Sequence, residues 1–246
     1  MITPLQLIVL NTRPYKETSL LVNTYTDRLG RADFVVNGVR TPRNRAAAAV
    51  FHPFSILDSR AYISDKKELH RLKEYRKTTP LHGLCTDVRK SSIGLFMAEL
   101  VYRTVRESEE NRDLYHFLKE TIVQLDGAGE ELPDVHVYFT VRLCRYLGYA
   151  PRAEGSSAGY FDIRKGSFTP FSEQANSPGR QTDTFDKEDS CMLHKILLCP
   201  PDTYQPLTCT GAQRYKFLNS MIGYYGYHMG RPPQIKSLDI LHQIFL

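Results

Sequence analysis

The first eighty residues alternate at short range. Leu5 to Leu10 is an unbroken apolar or β-prone run. From Thr18 to Thr26, Leu20, Val22 and Thr24 fall on one face and Leu21, Asn23 and Tyr25 on the other, the period of a strand. Asp27-Arg28-Leu29-Gly30 reads as a turn, with Gly30 free to take positive φ. Strand character resumes from Arg31 to Val39 through Phe34, Val35 and Val36. It ends at Arg40-Thr41-Pro42-Arg43-Asn44-Arg45, because proline cannot donate to a ladder. Phe51 to Leu57, around Pro53, predicts a fourth strand, and Tyr62-Ile63 with Leu69 to Tyr75 a fifth. Five short strands in about 80 residues fit a small closed barrel, which has no free edge to protect.

From about Leu81 the apolar spacing lengthens to three and four. Ile93, Phe96, Met97, Leu100, Val101 and Val105 line one helical face. Asn111 is placed to cap a second helix striped by Leu114, Phe117, Leu118, Ile122 and Leu125. A third is predicted over Asp134 to Leu147, with Gly148 as its stop. Met192, Leu193, Ile196 and Leu197 mark a fourth, Ala212 to Tyr225 a fifth, and Ser237 is placed to cap a last one, Leu238 to Phe245. Between Pro151 and Phe185 the chain is rich in Gly, Ser, Pro and Asn. That stretch holds one predicted strand pair, Gly159 to Ile163 and Ser167 to Thr169, across the turn Arg164-Lys165-Gly166. The expected organisation is α+β and multidomain: a barrel over 1–80, helices over 81–150, an insertion over 151–185, and helices over 186–246 that complete the helical body.

Charge singles out the barrel. The chain of 246 residues carries a formal net charge of +5. Residues 1–80 hold 14 Lys/Arg against 7 Asp/Glu, and the remainder 18 against 20. The excess therefore lies in the first third and suggests a polyanionic partner, although a merely well-solvated surface has the same composition. No stretch approaches the ~18 apolar residues of a spanning helix. Nor does the N-terminus have the basic and apolar regions of a secretory signal, so a cytoplasmic protein with no membrane partner is expected.

Enzymatic chemistry finds little support. There is no Gly-rich phosphate loop before Lys-Ser/Thr, no G-x-S-x-G and no H-E-x-x-H. Glu109-Glu110 and Glu130-Glu131 read as solvated charge at helix ends. Cys191, His194, Cys199 and Cys209 lack the close Cys pairs of structural zinc. No catalytic residue, metal or cofactor is expected. Basic residues are better organised, since Arg13 and Lys16, Arg28 and Arg31, Arg40, Arg43 and Arg45, and Lys66-Lys67 flank successive turns. If those turns gather, the charges form one groove for phosphates, in which Tyr15, Tyr25 and Tyr62 can stack on unpaired bases. The plainer account makes the tyrosines core and the arginines solubilising.

An ordered set of segments resembles the bacterial recombination mediators of the RecO family. It comprises Thr3-Pro4-Leu5-Gln6-Leu7-Ile8-Val9-Leu10, Arg13-Pro14-Tyr15-Lys16-Glu17-Thr18-Ser19, Thr26-Asp27-Arg28-Leu29-Gly30-Arg31 and Val36-Asn37-Gly38-Val39-Arg40. His52-Pro53-Phe54 with Leu57, Phe96-Met97-Ala98-Glu99-Leu100 and Asn111-Arg112-Asp113-Leu114-Tyr115 follow. The run from Arg142 to Pro151 and Ile235-Lys236-Ser237-Leu238 complete it. The resemblance covers nearly the whole chain, though no single segment is diagnostic.

It implies an N-terminal OB-fold, a helical body and a zinc-finger-like insertion. It also implies binding of single- and double-stranded DNA, annealing of complementary strands, work with RecR, and contact with the acidic tail of single-stranded DNA-binding protein. Together these load the recombinase RecA, at the nucleoid. One departure is plain: neither Arg152 to Gly159 nor Gly166 to Pro178 contains Cys, so the four-Cys site is absent and a metal-free strand-turn-strand remnant is expected. The tail is expected in an apolar groove between helices with a nearby cation. Candidates are Phe96, Leu100, Tyr102, Arg103, Arg106, Lys119 and Arg142. An RNA-binding OB-fold protein, or an interaction scaffold whose basic barrel meets an acidic protein, remains open.

Overall fold

A computed structural model describes residues 2–64, 68–129, 134–154, 159–170, 183–201 and 203–245, the Arg45 side chain excepted. The chain divides into two compact units, Met1–Gly129 and Glu130–Leu246.

In the first unit, β1 (Ile2–Tyr15), β2 (Ser19–Thr26), β3 (Gly30–Val36), β4 (Ile56–Tyr62) and β5 (Leu69–Lys77) close into a barrel of order β1-β2-β3-β5-β4, an OB-fold-like arrangement. Neighbours are antiparallel except β3 and β5, which run parallel with Val35 opposite Arg71. β1 serves two partners: Leu7 to Tyr15 pairs with β2, and Ile2 to Ile8 with β4. Its register shifts between Val9 and Asn11, the kind of bulge that lets one strand bend around a barrel. Leu5, Leu7, Val9, Leu20, Val22, Ala32, Phe34, Val36, Leu57, Ala61 and Leu72 share the barrel's core cluster. Their alternation is the period-two pattern of the sequence.

Several boundaries differ from the sequence pattern: β3 ends at Val36 and not Val39, and Tyr62 closes β4 and does not join the fifth strand. β1 continues through Pro14, which sits near the strand end opposite Leu20, where a missing amide costs little. The fourth strand is Ile56–Tyr62 and not Phe51 to Leu57. Phe51 and Phe54 are buried plugs in a turn, and Phe54 holds a left-handed φ of 64°.

Among the described residues, the α-helices of this unit are α1 (Arg45–Ala48), α2 (His82–Thr86), α3 (Val88–Thr104) and α4 (Arg112–Gly127). Asp87 caps α3, accepting from the amides of Arg89 at 2.8 Å and Lys90 at 3.3 Å. Asn111 caps α4, accepting from the Leu114 amide at 3.0 Å, as its position predicts. The Lys90 ammonium donates to the carbonyls of Asp126 at 2.7 Å and Ala128 at 2.5 Å, supplying cationic donors at the negative end of α4.

The second unit contains α5 (Val135–Tyr146), a ribbon of β6 (Tyr160–Asp162) and β7 (Ser167–Thr169), α6 (Lys187–Leu198), α7 (Gly211–Met229) and α8 (Ser237–Ile244). The ribbon pairs Phe161 with Phe168. Lys236, not Ser237, occupies the cap position of α8.

His136 on α5 is 2% exposed and stacks on Phe245 at 6.2 Å between ring centroids. Burial, aided by the Arg214 charge, holds its imidazole down at about 3. The unfolded chain, with an ordinary histidine near ~6.5, takes up the proton first. This stabilisation is complete above pH ~6.5 and falls by about 1.4 kcal/mol per pH unit as the pH drops toward ~3. His136→Phe is expected to flatten the fall in urea-unfolding free energy between about pH 6 and 4. Parallel pH profiles of variant and parent would contradict this account.

Candidate nucleic-acid interface

In an antiparallel barrel successive hairpin turns lie at opposite ends. The flanking cations among the described residues therefore split into two groups and do not share the single groove expected from sequence.

At one end the β1–β2 turn, residues 16–18, meets the segment after β3. The Arg40 amide donates to the Thr18 carbonyl at 2.9 Å, and its guanidinium to the carbonyls of Lys16 at 3.1 Å and Glu17 at 3.3 Å. Pro42–Asn44 forms a 3-10 turn carrying Arg43, held by the Asn44 side-chain Nδ2, which donates to the Gly38 carbonyl at 2.8 Å. The Asn37 side chain links two strands here. Its nitrogen donates to Ser19 Oγ and its oxygen accepts from Arg71 Nε and Nη2, each at 3.1 Å. Arg71 lies opposite Tyr62 on β4, and Ser19 opposite Tyr15 on β1. Tyr15, Ser19, Asn37, Arg71 and Tyr62 thus follow one another across the barrel wall. Tyr62 is 44% exposed, and the Lys16 ammonium lies 5.6 Å from the Tyr15 ring centroid.

Arg13, Lys16, Arg40, Arg43 and Arg71 are all exposed, and among the described residues none pairs with a carboxylate. Arg45 begins α1 beside them. Lys66 and Lys67 lie outside the described residues. Arg71 is absent from the sequence-based set because the parallel β3–β5 contact that brings it here is remote in sequence; the alternation of Leu69 to Lys77 is its only local signal.

The opposite end is different. Arg28 pairs with Asp27 at 3.9 Å, Arg60 with Glu74 at 3.9 Å and Arg76 with Asp58 at 3.2 Å. These six residues line a groove of about 700 Å³ whose charges cancel. Arg31 is not a surface cation. It donates to the carbonyls of Tyr102 at 2.9 Å and Val105 at 3.3 Å and lies 4.5 Å from the Tyr102 ring centroid. Burial lowers its pKa, against the opposing pull of Asp33. Its task is to hold the C-terminal end of α3 on the barrel. Tyr25 is core at 1% exposure, its hydroxyl pushed up to about 12 by burial, and offers no stacking face.

The residues expected to receive a partner tail also separate. Phe96 and Leu100 are fully buried and line no open groove, since their spacing is that of α3's core stripe. Tyr102 lies between Arg31 and Arg103, the latter 5.4 Å from its ring centroid and 3.6 Å from Glu99. Lys119 donates to Gln6 Oε1 at 2.9 Å, as Tyr115 does at 2.7 Å. Arg106 is exposed after α3. Arg142, in the second unit, donates to the carbonyls of Pro200 at 2.8 Å and Thr203 at 2.7 Å and lies 4.7 Å from the Tyr204 ring centroid. It secures the loop after α6. Among the described residues no group of three or more His, Cys, Asp or Glu is arranged to hold a metal ion, and no helix is long and apolar enough to cross a membrane.

The sequence matches two family descriptions, "Recombination protein O N terminal" over residues 1–80 and "Recombination protein O C terminal" over residues 85–239. It is 32% identical over 239 residues to the DNA repair protein RecO of Bacteroides fragilis, covering 97% of both chains. It is 31% identical over 242 residues to that of Phocaeicola vulgatus, again covering 97% of both. To that of Flavobacterium psychrophilum it is 28% identical over 239 residues.

Proposed function

Because the chain belongs to the recombination protein O family of DNA repair, we propose that it binds DNA without sequence preference, anneals complementary single strands, and helps load RecA onto strands coated by single-stranded DNA-binding protein. The observation that carries this reading is the cluster of exposed cations, without carboxylate partners among the described residues, at one end of the barrel beside the exposed Tyr62 ring.

Annealing breaks and makes no covalent bond, and we read the protein as a mediator and not an enzyme. Two strands repel through their phosphates. Arg13, Lys16, Arg40, Arg43 and Arg71 neutralise one of them, and the released counterions favour the complex. Contacts to phosphate leave the base edges free to pair. Tyr62 and Tyr15 supply sequence-tolerant stacking. In this reading RecR works alongside the chain in the cytoplasm. The acidic tail of the coating protein meets exposed cations, Arg106 among them, and not the buried Phe96 and Leu100.

The test uses two complementary fluorescent oligonucleotides precoated with single-stranded DNA-binding protein. The chain is expected to speed their pairing severalfold at low salt, and high salt to suppress the effect. Pairing at the protein-free rate, under conditions in which each coated strand is shown intact, would overturn the reading.

A further inference from the structure

A second aromatic and cationic surface lies in the unit Glu130–Leu246, remote in sequence from the barrel. Tyr149 follows the end of α5, and its ring stacks on His228 of α7 at 4.7 Å with planes 3° apart. Tyr224 and Tyr225 form the floor, 1% and 0% exposed. The Tyr224 hydroxyl donates to the Tyr149 carbonyl at 2.7 Å, and both rings meet Tyr149 edge-on at 5.9 and 5.6 Å. Beside this stack Tyr227 stands 49% exposed, edge-on to His228 at 5.2 Å.

The surroundings are cationic. Arg145 lies in the last turn of α5, four residues before Tyr149, and Arg231 follows His228 by three. Both are exposed, and among the described residues neither pairs with a carboxylate. Arg152, before β6, is hydrogen-bonded to the ribbon turn: its amide donates to the Gly166 carbonyl at 2.8 Å and its guanidinium to the Lys165 carbonyl at 3.1 Å, and it pairs with the exposed Glu154 at 3.8 Å. Lys165 pairs with Asp162 at 3.5 Å, and Arg164 with Asp183. The Asp162 carboxylate also accepts from the amides of Arg164 at 2.9 Å and Lys165 at 3.0 Å. It is committed to the turn.

We propose that Tyr227 and the Tyr149–His228 stack form a second binding surface for single-stranded nucleic acid, with bases stacked on the rings and phosphates held by Arg145 and Arg231. Aromatic area left exposed, as half of Tyr227 is, costs solubility. Rings beside unpaired cations are the combination that a flexible polyanion with π-faces satisfies. An acidic protein would satisfy the arginines but leave the rings unused. This inference rests on the strand-annealing reading and deepens it: each unit would hold one strand, and two strands are what annealing requires.

The test is photocrosslinking of the full chain to a single-stranded oligonucleotide carrying 5-iodouracil, followed by peptide mapping. Crosslinks are expected at Tyr227 or Tyr149 in addition to Tyr15 or Tyr62. Tyr227→Ala combined with Arg231→Glu is expected to slow annealing about tenfold, a typical single-base stacking loss. First-strand binding should change less than twofold, and Tyr227→Phe should behave as the parent. Crosslinks confined to the barrel tyrosines, or annealing unchanged in the double variant, would overturn the second surface and leave the barrel reading standing. No crosslink anywhere would overturn both.

Discussion

Reversing Arg40 and Arg43 together to Glu is expected to lower affinity for single strands by at least about tenfold near physiological salt. Oligonucleotides of different base composition should lose affinity alike, since contacts to phosphate carry no sequence information. Both side chains are exposed, and among the described residues neither has a carboxylate to neutralise it. The slope of log affinity against log salt should flatten by about 1.4, at roughly 0.7 for each single-strand phosphate contact. Arg40 also ties the β1–β2 turn through two carbonyls, so Arg43→Glu alone separates lost charge from a loosened turn. Reversal of Arg28 with Arg76 is the matched comparison, because both already face carboxylates. That pair should change affinity by less than about twofold, following the small worth of exposed ion pairs. Fluorescence anisotropy over a salt series reads all of this. Equal losses at the two ends would reject the barrel end formed by the β1–β2 turn as the interface.

The largest effect on stability is expected from Gly30→Ala. Gly30 has φ +60°, and a Cβ there would overlap the Glu109 carbonyl oxygen and come within 2.8 Å of that of Glu107. Both carbonyls belong to the connection between α3 and α4, whose Glu107 carbonyl accepts from the Arg31 amide at 3.0 Å. The methyl would force apart backbone that cannot yield as a side chain does. Conformational strain of about 1 kcal/mol adds to the lost docking, and the total is expected at about 3–5 kcal/mol. Gly38→Ala is the control: its φ is +72° with open space around it, so it incurs the strain alone. Urea unfolding of the two variants measures the difference. Similar midpoints would mean that the α3–α4 connection does not clasp this turn.

Much of the fold is legible locally. The stripes of α3 and α4, the Asn111 cap and the Phe161–Phe168 ribbon follow from spacing and side-chain chemistry within a few residues. Error enters where a residue answers to something remote in sequence. Phe51 and Phe54 read as strand because they are apolar, yet they are core plugs on a turn. Arg31 and Tyr25 read as surface groups because nothing nearby shows that α3 supplies carbonyls for one and that the other points into the interior. Arg71 is invisible as a site residue until a parallel pairing more than thirty residues long in sequence separation places it beside Asn37. Composition identifies the cationic third of the chain. Which of its charges are already matched depends on the sheet grid of β1, β4 and β5.

The clasp between the β2–β3 turn and the end of α3 bears on how the N-terminal portion can be handled in isolation. A fragment cut near Pro80 retains all five strands but discards the acceptors of the Arg31 guanidinium and amide, and with Tyr115 and Lys119 the donors that satisfy Gln6. It also uncovers the side of β1 on which α3 lies. Such a piece would be an aggregation-prone reagent, and the shortest excision that keeps these bonds runs past Lys119 to the end of α4.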